Sequence, residues 1–373
     1  MALTGTAPPR FDRSPHLVEL VAEVERLAAA VAAPAGAERR DTVVAGRRHD
    51  AVVASLQLDG SPVAAAPDPH VLAAARERVE RMGSDPATPR RGTWFDAMRA
   101  FDEVDVDDPE AAAHDDQLHA LEYAGADAAF GADDLITSLR SAPGDALAEL
   151  HRHLTDGLVA PDRAGAPRVS EQAVHDAAVG RILYFTVDPV AVPRELGLLG
   201  AWLASAAARE HALVVSGVVH LELLRIHPYD AANGRLARAA ARLLLRDGGL
   251  DPDGLAAPEP ALDRDRLGYH DEVARTLRRR DLTIWLERWG EAVSDGLRAS
   301  ARALGVATSA VPDATAAYLD GLGADARFTV ADHRAATGAA PADAAAALRA
   351  ALDAGQIVRE PGTRGLRFVT TPA

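Results

Sequence analysis

His227-Pro228-Tyr229-Asp230-Ala231-Ala232-Asn233-Gly234-Arg235-Leu236-Ala237-Arg238 is the stretch on which the reading of this chain turns. It follows Val214 to Ile226, which is apolar on nearly every side of a helical projection and so predicts a deeply buried helix. The proline and the polar residues after it predict a loop. A second helix, Arg235 to Arg246, begins where the loop ends and stops at Gly248-Gly249. The first turn of a helix leaves backbone N–H groups free, so the end of this loop predicts an anion site. Arg235 and Arg238 are three apart and share one face there. Their planar guanidiniums suit phosphate oxygens, and His227 is placed to take a proton near neutral pH.

Outside this stretch the composition excludes a good deal. The chain has 373 residues, enough for two or three domains. Its 40 basic residues are all arginine, which removes a lysine Schiff base and a Walker A lysine. It has no cysteine, hence no thiol nucleophile, disulfide or Cys-ligated zinc. A net charge of -15 argues against coating nucleic acid or anionic lipid. No run of about 18 uncharged apolar residues is present, and Met1 to Gly36 lacks the pattern of a signal peptide. A soluble cytoplasmic protein with no membrane partner is the expectation.

Periodicity predicts a mainly α chain. Pro67 to Pro69, Asp85 to Gly92 and Asp105 to Pro109 break an N-terminal region of short helices, residues 1–140. A denser core over 141–305 holds helices at Ala146 to Leu158, Glu195 to Ala208 and Leu267 to Leu297. Arg181 to Val187, β-branched and aromatic, reads as one arm of a small hairpin. The tail, 312–373, differs in kind. Thr329 to Thr337 and Ala342 to Asp353 read as helices around a Gly338 to Pro341 turn, and Gln356 to Arg359 and Leu366 to Val369 as strands joined by Pro361 to Gly365. This is the outline of a winged helix-turn-helix.

The string from His227 to Arg238 resembles the signature of the Fic family, H-x-F-x-(D/E)-G-N-G-R-x-x-R, whose members transfer AMP from ATP to hydroxyl side chains of target proteins. His227, Pro228, Asn233, Gly234, Arg235 and Arg238 fall on it, with Tyr229 as the aromatic. Leu150-His151-Arg152 with Gly165 to Val169, and Leu267 to Trp285, are similar to further segments of the family. The likeness spans roughly residues 20 to 300, and the tail resembles the winged helix that many bacterial members carry. Ser55-Leu56-Gln57-Leu58-Asp59-Gly60, on a helix running from about Gly46, is similar to the family's inhibitory motif.

The resemblance implies a Fic-type helical bundle with a small β-hairpin flap and a C-terminal winged helix. His227 is then the base, and Ala232, Asn233, Gly234, Arg235 and Arg238 the nucleotide-binding residues. Ser55, Asp59 and Gly60 form the inhibitory segment, with Asp59 pairing to Arg238 in place of the γ-phosphate. Leu183, Tyr184 and Phe185 of the flap receive the target as an added strand. ATP is the substrate. Ala231 stands where the family has the acid that holds Mg2+, and an alanine offers a hard cation nothing, so Asp230 is the candidate ligand left. Asp59 is one methylene shorter than the family's glutamate, which predicts a weaker grip on Arg238. Removal of AMP, or nucleotide sensing coupled to DNA binding through the winged helix, are the alternative readings. Arg327 to Arg367 holds six arginines against four acids, in keeping with the latter. A homodimer stays open.

Overall fold

The computed structural model describes residues 10–34, 36–82, 109–175, 182–205, 207–251, 253–306 and 310–372. The breaks expected at 85–92 and 105–108 lie outside these residues, as does Arg181. At the centre is α7 (Ala212–Ile226), where every residue from Leu213 to Ile226 is buried. Each fully buried leucine or valine there contributes roughly 1.5–3 kcal/mol. An apolar helix with no solvent face must be surrounded, and α8 (Asn233–Asp247) and α10 (Thr283–Leu304) pack against it. The α10 contact is close because residue 217 is glycine: a Cβ there would lie 2.8 Å from Leu286 and Trp289. That approach lets Trp285 Nε1 donate to the Gly217 carbonyl at 2.7 Å and Trp289 Nε1 to Ser216 Oγ at 2.9 Å.

Of four N-terminal helices, α1 (Pro15–Ala32), α2 (Ala37–Leu58) and α4 (Pro109–Phe130) pack on this centre, and α3 (Pro69–Met82) packs on α4 around Ala75, Leu121 and Leu158. They are longer than the sequence suggested. The Gly and Arg residues of α2 dilute its apolar periodicity, yet it starts at Ala37 rather than near Gly46, with Val43 and Val44 of its first half packed against the core. Helix α1 lies along α10, and α2 runs past the arginine-bearing side of α8. Next come α5 (Pro143–Thr155), the antiparallel pair β1 (Ala173–His175) and β2 (Ile182–Phe185), and α6 (Val192–Ser205). The segment Leu267 to Leu297 resolves into α9 (Arg266–Arg279) and α10, divided at Arg280, whose positive φ ends the first. Among the described residues no helix is long and apolar enough to cross a membrane.

The tail has a separate apolar cluster around Leu319, Phe328, Leu348, Leu352, Ile357 and Phe368. Its elements are α11 (Asp313–Leu322), β3 (Arg327–Thr329), α12 (Val330–Thr337), α13 (Pro341–Ala354), β4 (Ile357–Arg359) and β5 (Arg367–Thr370). A capping box starts α12: Thr329 Oγ1 accepts from the Asp332 N–H, and the Asp332 carboxylate from the Thr329 N–H. The sheet runs β3-β5-β4, so β3, too short for its periodicity to register, supplies a third strand that the sequence reading lacked. Buried charge joins this unit to the rest. Glu23 of α1 accepts from Arg359 at 2.8 and 3.0 Å and is paired with Arg298 of α10, which donates to Asp353 at 2.9 Å. The β4–β5 loop docks on α10, with Arg364 donating twice to Glu287 at 2.6 and 2.7 Å. Arg364, the arginine of the Pro361 to Gly365 segment, is thus engaged within the chain.

Candidate functional site

The loop after α7 is fixed from three sides. Its first residue, His227, is the helix C-cap, with φ 52° and its N–H donating to the Leu223 carbonyl at 2.8 Å. Arg168, 1% exposed, clamps it: Nε donates to the His227 carbonyl at 2.6 Å, Nη2 to the Ile226 carbonyl at 3.3 Å and to Thr186 Oγ1 at 3.0 Å. The same guanidinium also reaches the Val187 carbonyl, which ties the loop to the strand β2 side. From below, the His151 ring stacks on Tyr229 at 4.2 Å. His151 Nδ1 accepts from the Gly165 N–H at 2.8 Å, so Nε2 carries the hydrogen it donates to the Ala231 carbonyl at 3.2 Å. Burial first of all holds this imidazole down at about 4, hence neutral. Asn233 closes the loop on itself, its side chain donating to the Tyr229 carbonyl at 2.8 Å and accepting from the Tyr229 N–H at 3.0 Å.

Ala232, the residue before α8, has φ 55°. This left-handed conformation costs an L-residue about 1–2 kcal/mol and explains why the signature favours glycine at this point. The start of α8, Ala232 to Arg235, lines a cavity of about 740 Å3, and the first turn of a helix leaves backbone N–H groups without intrahelical partners. His227 lines that cavity with its ring, and burial pushes its pKa down to about 4. Nδ1 faces the Leu224 carbonyl at 3.4 Å, which favours the tautomer with the hydrogen on Nδ1 and a free Nε2 lone pair. A neutral imidazole with a free lone pair can accept a proton.

Across the cavity α2 ends beside the start of α8. Gly60, with φ 85°, and Ser61 close the helix by donating to the Gln57 and Leu56 carbonyls, a left-handed stop that requires glycine. The turn puts the Asp59 carboxylate over Gly234. Its Oδ1 accepts from Arg238 Nη2 at 2.7 Å and its Oδ2 lies 3.4 Å from Arg235 Nε. Arg238 also donates from Nε to Ser55 Oγ at 2.7 Å and from Nη2 to the Ser55 carbonyl at 2.8 Å. Burial works against its charge, but Asp59 and Tyr269 beside it hold its pKa above the ordinary value. The shorter acid therefore reaches Arg238 in full, bridging two arginines rather than gripping one with both oxygens.

His227, Ala232, Asn233, Gly234, Arg235, Arg238, Asp59 and Gly60 all line the cavity, and Ser55 stands behind Arg238. Leu183 and Tyr184 of β2 form part of its wall, whereas Phe185 is 75% exposed on the outer side. His220 lies in the core, bonded to Tyr269 Oη at 2.9 Å and wedged edge-on against Trp285 and Trp289. Arg168, His151 and His270 fall in the further segments that resemble the family, but the sequence reading gave none of them a role in the site. The last donates to or accepts from nothing in the loop; its Nε2 meets the Leu58 carbonyl at 3.0 Å and so secures the end of α2.

The donor set does not fit Mg2+. Asp230 Oδ2 takes both Nε and Nη2 of Arg163, at 2.8 and 2.7 Å, and does not line the cavity. Ala231 presents a methyl group. Among the described residues no three His, Asp or Glu side chains are grouped to hold a metal.

Residues 143–245 match the model of the Fic/DOC family. A Fic family protein from Desulfovibrio desulfuricans has a similar structure, with 21% identity and a TM-score of 0.57 over 98% of this chain and 99% of that one, a likeness of fold. Fic-1 from C. elegans is 17% identical with a TM-score of 0.47, over 77% of this chain and 72% of that one. A Fic domain containing signaling protein from Bacteroides thetaiotaomicron is 12% identical with a TM-score of 0.46, over 79% and 100%. No curated protein matches.

Proposed function

With residues 143–245 taken as a Fic/DOC-family domain, we propose that the chain transfers AMP from ATP to a hydroxyl side chain of a target protein, and that Asp59 holds the reaction in check. The observation that carries this reading is the seat of the Asp59 carboxylate: an anion lies on the first turn of α8, against Arg238 and beside Arg235, in the same cavity as a neutral imidazole. Phosphate oxygens fit where the carboxylate now lies, since both are anionic acceptors for the same fork of donors.

In the reaction the target oxygen forms a bond to the α-phosphorus, and the bond from that phosphorus to the bridging oxygen of the β-phosphate breaks. Pyrophosphate leaves with the electron pair, and the hydroxyl proton passes to Nε2 of His227. Arg235, Arg238 and the N–H groups at Gly234 hold the phosphates and balance the charge that develops on the leaving group. Arg168 and Asn233 keep the loop in shape, and the β1–β2 pair accepts the target backbone as an added strand. The tail we read as a winged helix whose wing is docked on α10.

The test is label from α-32P-ATP entering the protein or an added target. Asp59→Gly is expected to raise incorporation above that of the natural sequence, and His227→Ala in the same background to lower it by about 10²-fold or more. Equal labelling by all three proteins would remove the reading.

A further inference from the structure

We infer that the cradle at the start of α8 takes a polyphosphate as the free anion, with Arg235 doing what a divalent cation would otherwise do, so that Mg2+ does not tighten nucleotide binding. This rests on the nucleotide reading above and deepens it.

Three observations carry it. Arg235 is 7% exposed and faces the cavity, yet Nε and Nη1 have no hydrogen-bond partner. Its acidic neighbours stand off, Asp59 Oδ2 at 3.4 Å and Glu122 Oε1 at 3.7 Å. A buried guanidinium with unmade bonds is costly, and phosphate oxygens entering the cradle would complete them. Secondly, the side of the loop that would have to offer oxygens to a hard cation offers none. Ala231 has no donor, its carbonyl is taken by His151, and Asp230 is taken by Arg163. Thirdly, charge favours the bare anion. A dication bound only through phosphate would sit near two guanidiniums in a partly desolvated cavity, with no carboxylate from the loop to offset the repulsion. It would also cancel the negative charge on which Arg235 and Arg238 act.

Calorimetry of ATP binding to the full chain carrying Asp59→Gly, which clears the cradle, separates the outcomes. In EDTA binding is expected, and excess Mg2+ should leave the dissociation constant unchanged or weaken it by up to about tenfold, the worth of one charge-assisted hydrogen bond. Adding Ala231→Asp should reverse the sign, so that Mg2+ now tightens binding. Arg235→Gln should weaken binding in EDTA about tenfold or more while thermal unfolding shows the variant folded. Tightening by Mg2+ with Ala231 in place would overturn the inference and leave the proposed function standing. Absence of binding in both buffers would overturn the proposed function and the inference with it.

Discussion

Oδ1 of Asp59 and Nη2 of Arg238 lie 2.7 Å apart although 179 residues separate them in the chain. The pair joins the last turn of α2 to the first turns of α8, and it sits where a Cβ on residue 234 would collide with the carboxylate. Arg238 is almost fully buried and Asp59 a quarter exposed, so the pair is weakly screened on one side. A double-mutant cycle with Asp59→Ala and Arg238→Ala should give a coupling of about 1.5–3 kcal/mol in urea unfolding. Gly234→Ala should push the carboxylate aside and reduce that coupling; an unchanged coupling would mean that the collision is relieved elsewhere.

Arg168 meets five acceptors from the two ends of the flap and the end of α7. Arg168→Lys keeps the charge but not the planar fork, so it should cost about 2 kcal/mol and weaken ATP binding as well. Loss of stability with ATP affinity intact would show that the clamp serves folding alone.

Ala232→Gly should raise the urea midpoint. It relieves a left-handed alanine, worth about 1–2 kcal/mol, against an entropy cost of roughly 0.5–1 kcal/mol for glycine in the unfolded chain. A fall in the midpoint would contradict the conformation described for that residue.

Burial holds both His151 and His227 at about 4, below the ordinary 6.5. Between those values the unfolded chain binds protons that the folded chain refuses. Stability should therefore be complete above about pH 6.5 and fall as pH drops toward 4, by up to about 1.4 kcal/mol per pH unit for each histidine. Urea unfolding at a series of pH values reads the slope, and His151→Gln should flatten it. A profile with no such fall over the window would count against neutral, buried imidazoles.

The charges under the tail should rank by burial. Glu23→Ala removes the buried acid that Arg298 and Arg359 share and leaves them only Asp353 and the more distant Asp295, so about 3 kcal/mol should be lost. Arg364→Ala removes a half-exposed partner of Glu287 and should cost less than about 1 kcal/mol. Urea midpoints that reverse this order would mean that the wing, rather than the buried cluster, anchors the tail.

The loop and its two arginines were legible because their chemistry is local. Pro228, Gly234 and the arginine spacing are all readable within a dozen residues, and the buried helix before them announces itself by composition. Asp59 was legible only through its motif, since its partner is far along the chain. Arg168 and His151 lie in family-like segments but their roles were not legible, because they act on backbone carbonyls, and no pattern of residue types records which carbonyl a side chain will meet. The fate of Asp230 was equally hidden: whether it faces the cavity or Arg163 depends on how the 160–168 segment folds under the loop. The same applies to the wing, where the partner of Arg364, Glu287, lies opposite only once α10 and the tail are packed together.

Glu23 and Arg359 meet across 336 residues. During synthesis at about 5–20 residues per second, the acid emerges roughly 17–70 s before its arginine. Over that interval the first helix carries a carboxylate whose set of partners is incomplete, and α1 reaches its final contacts only once Arg359 has left the ribosome.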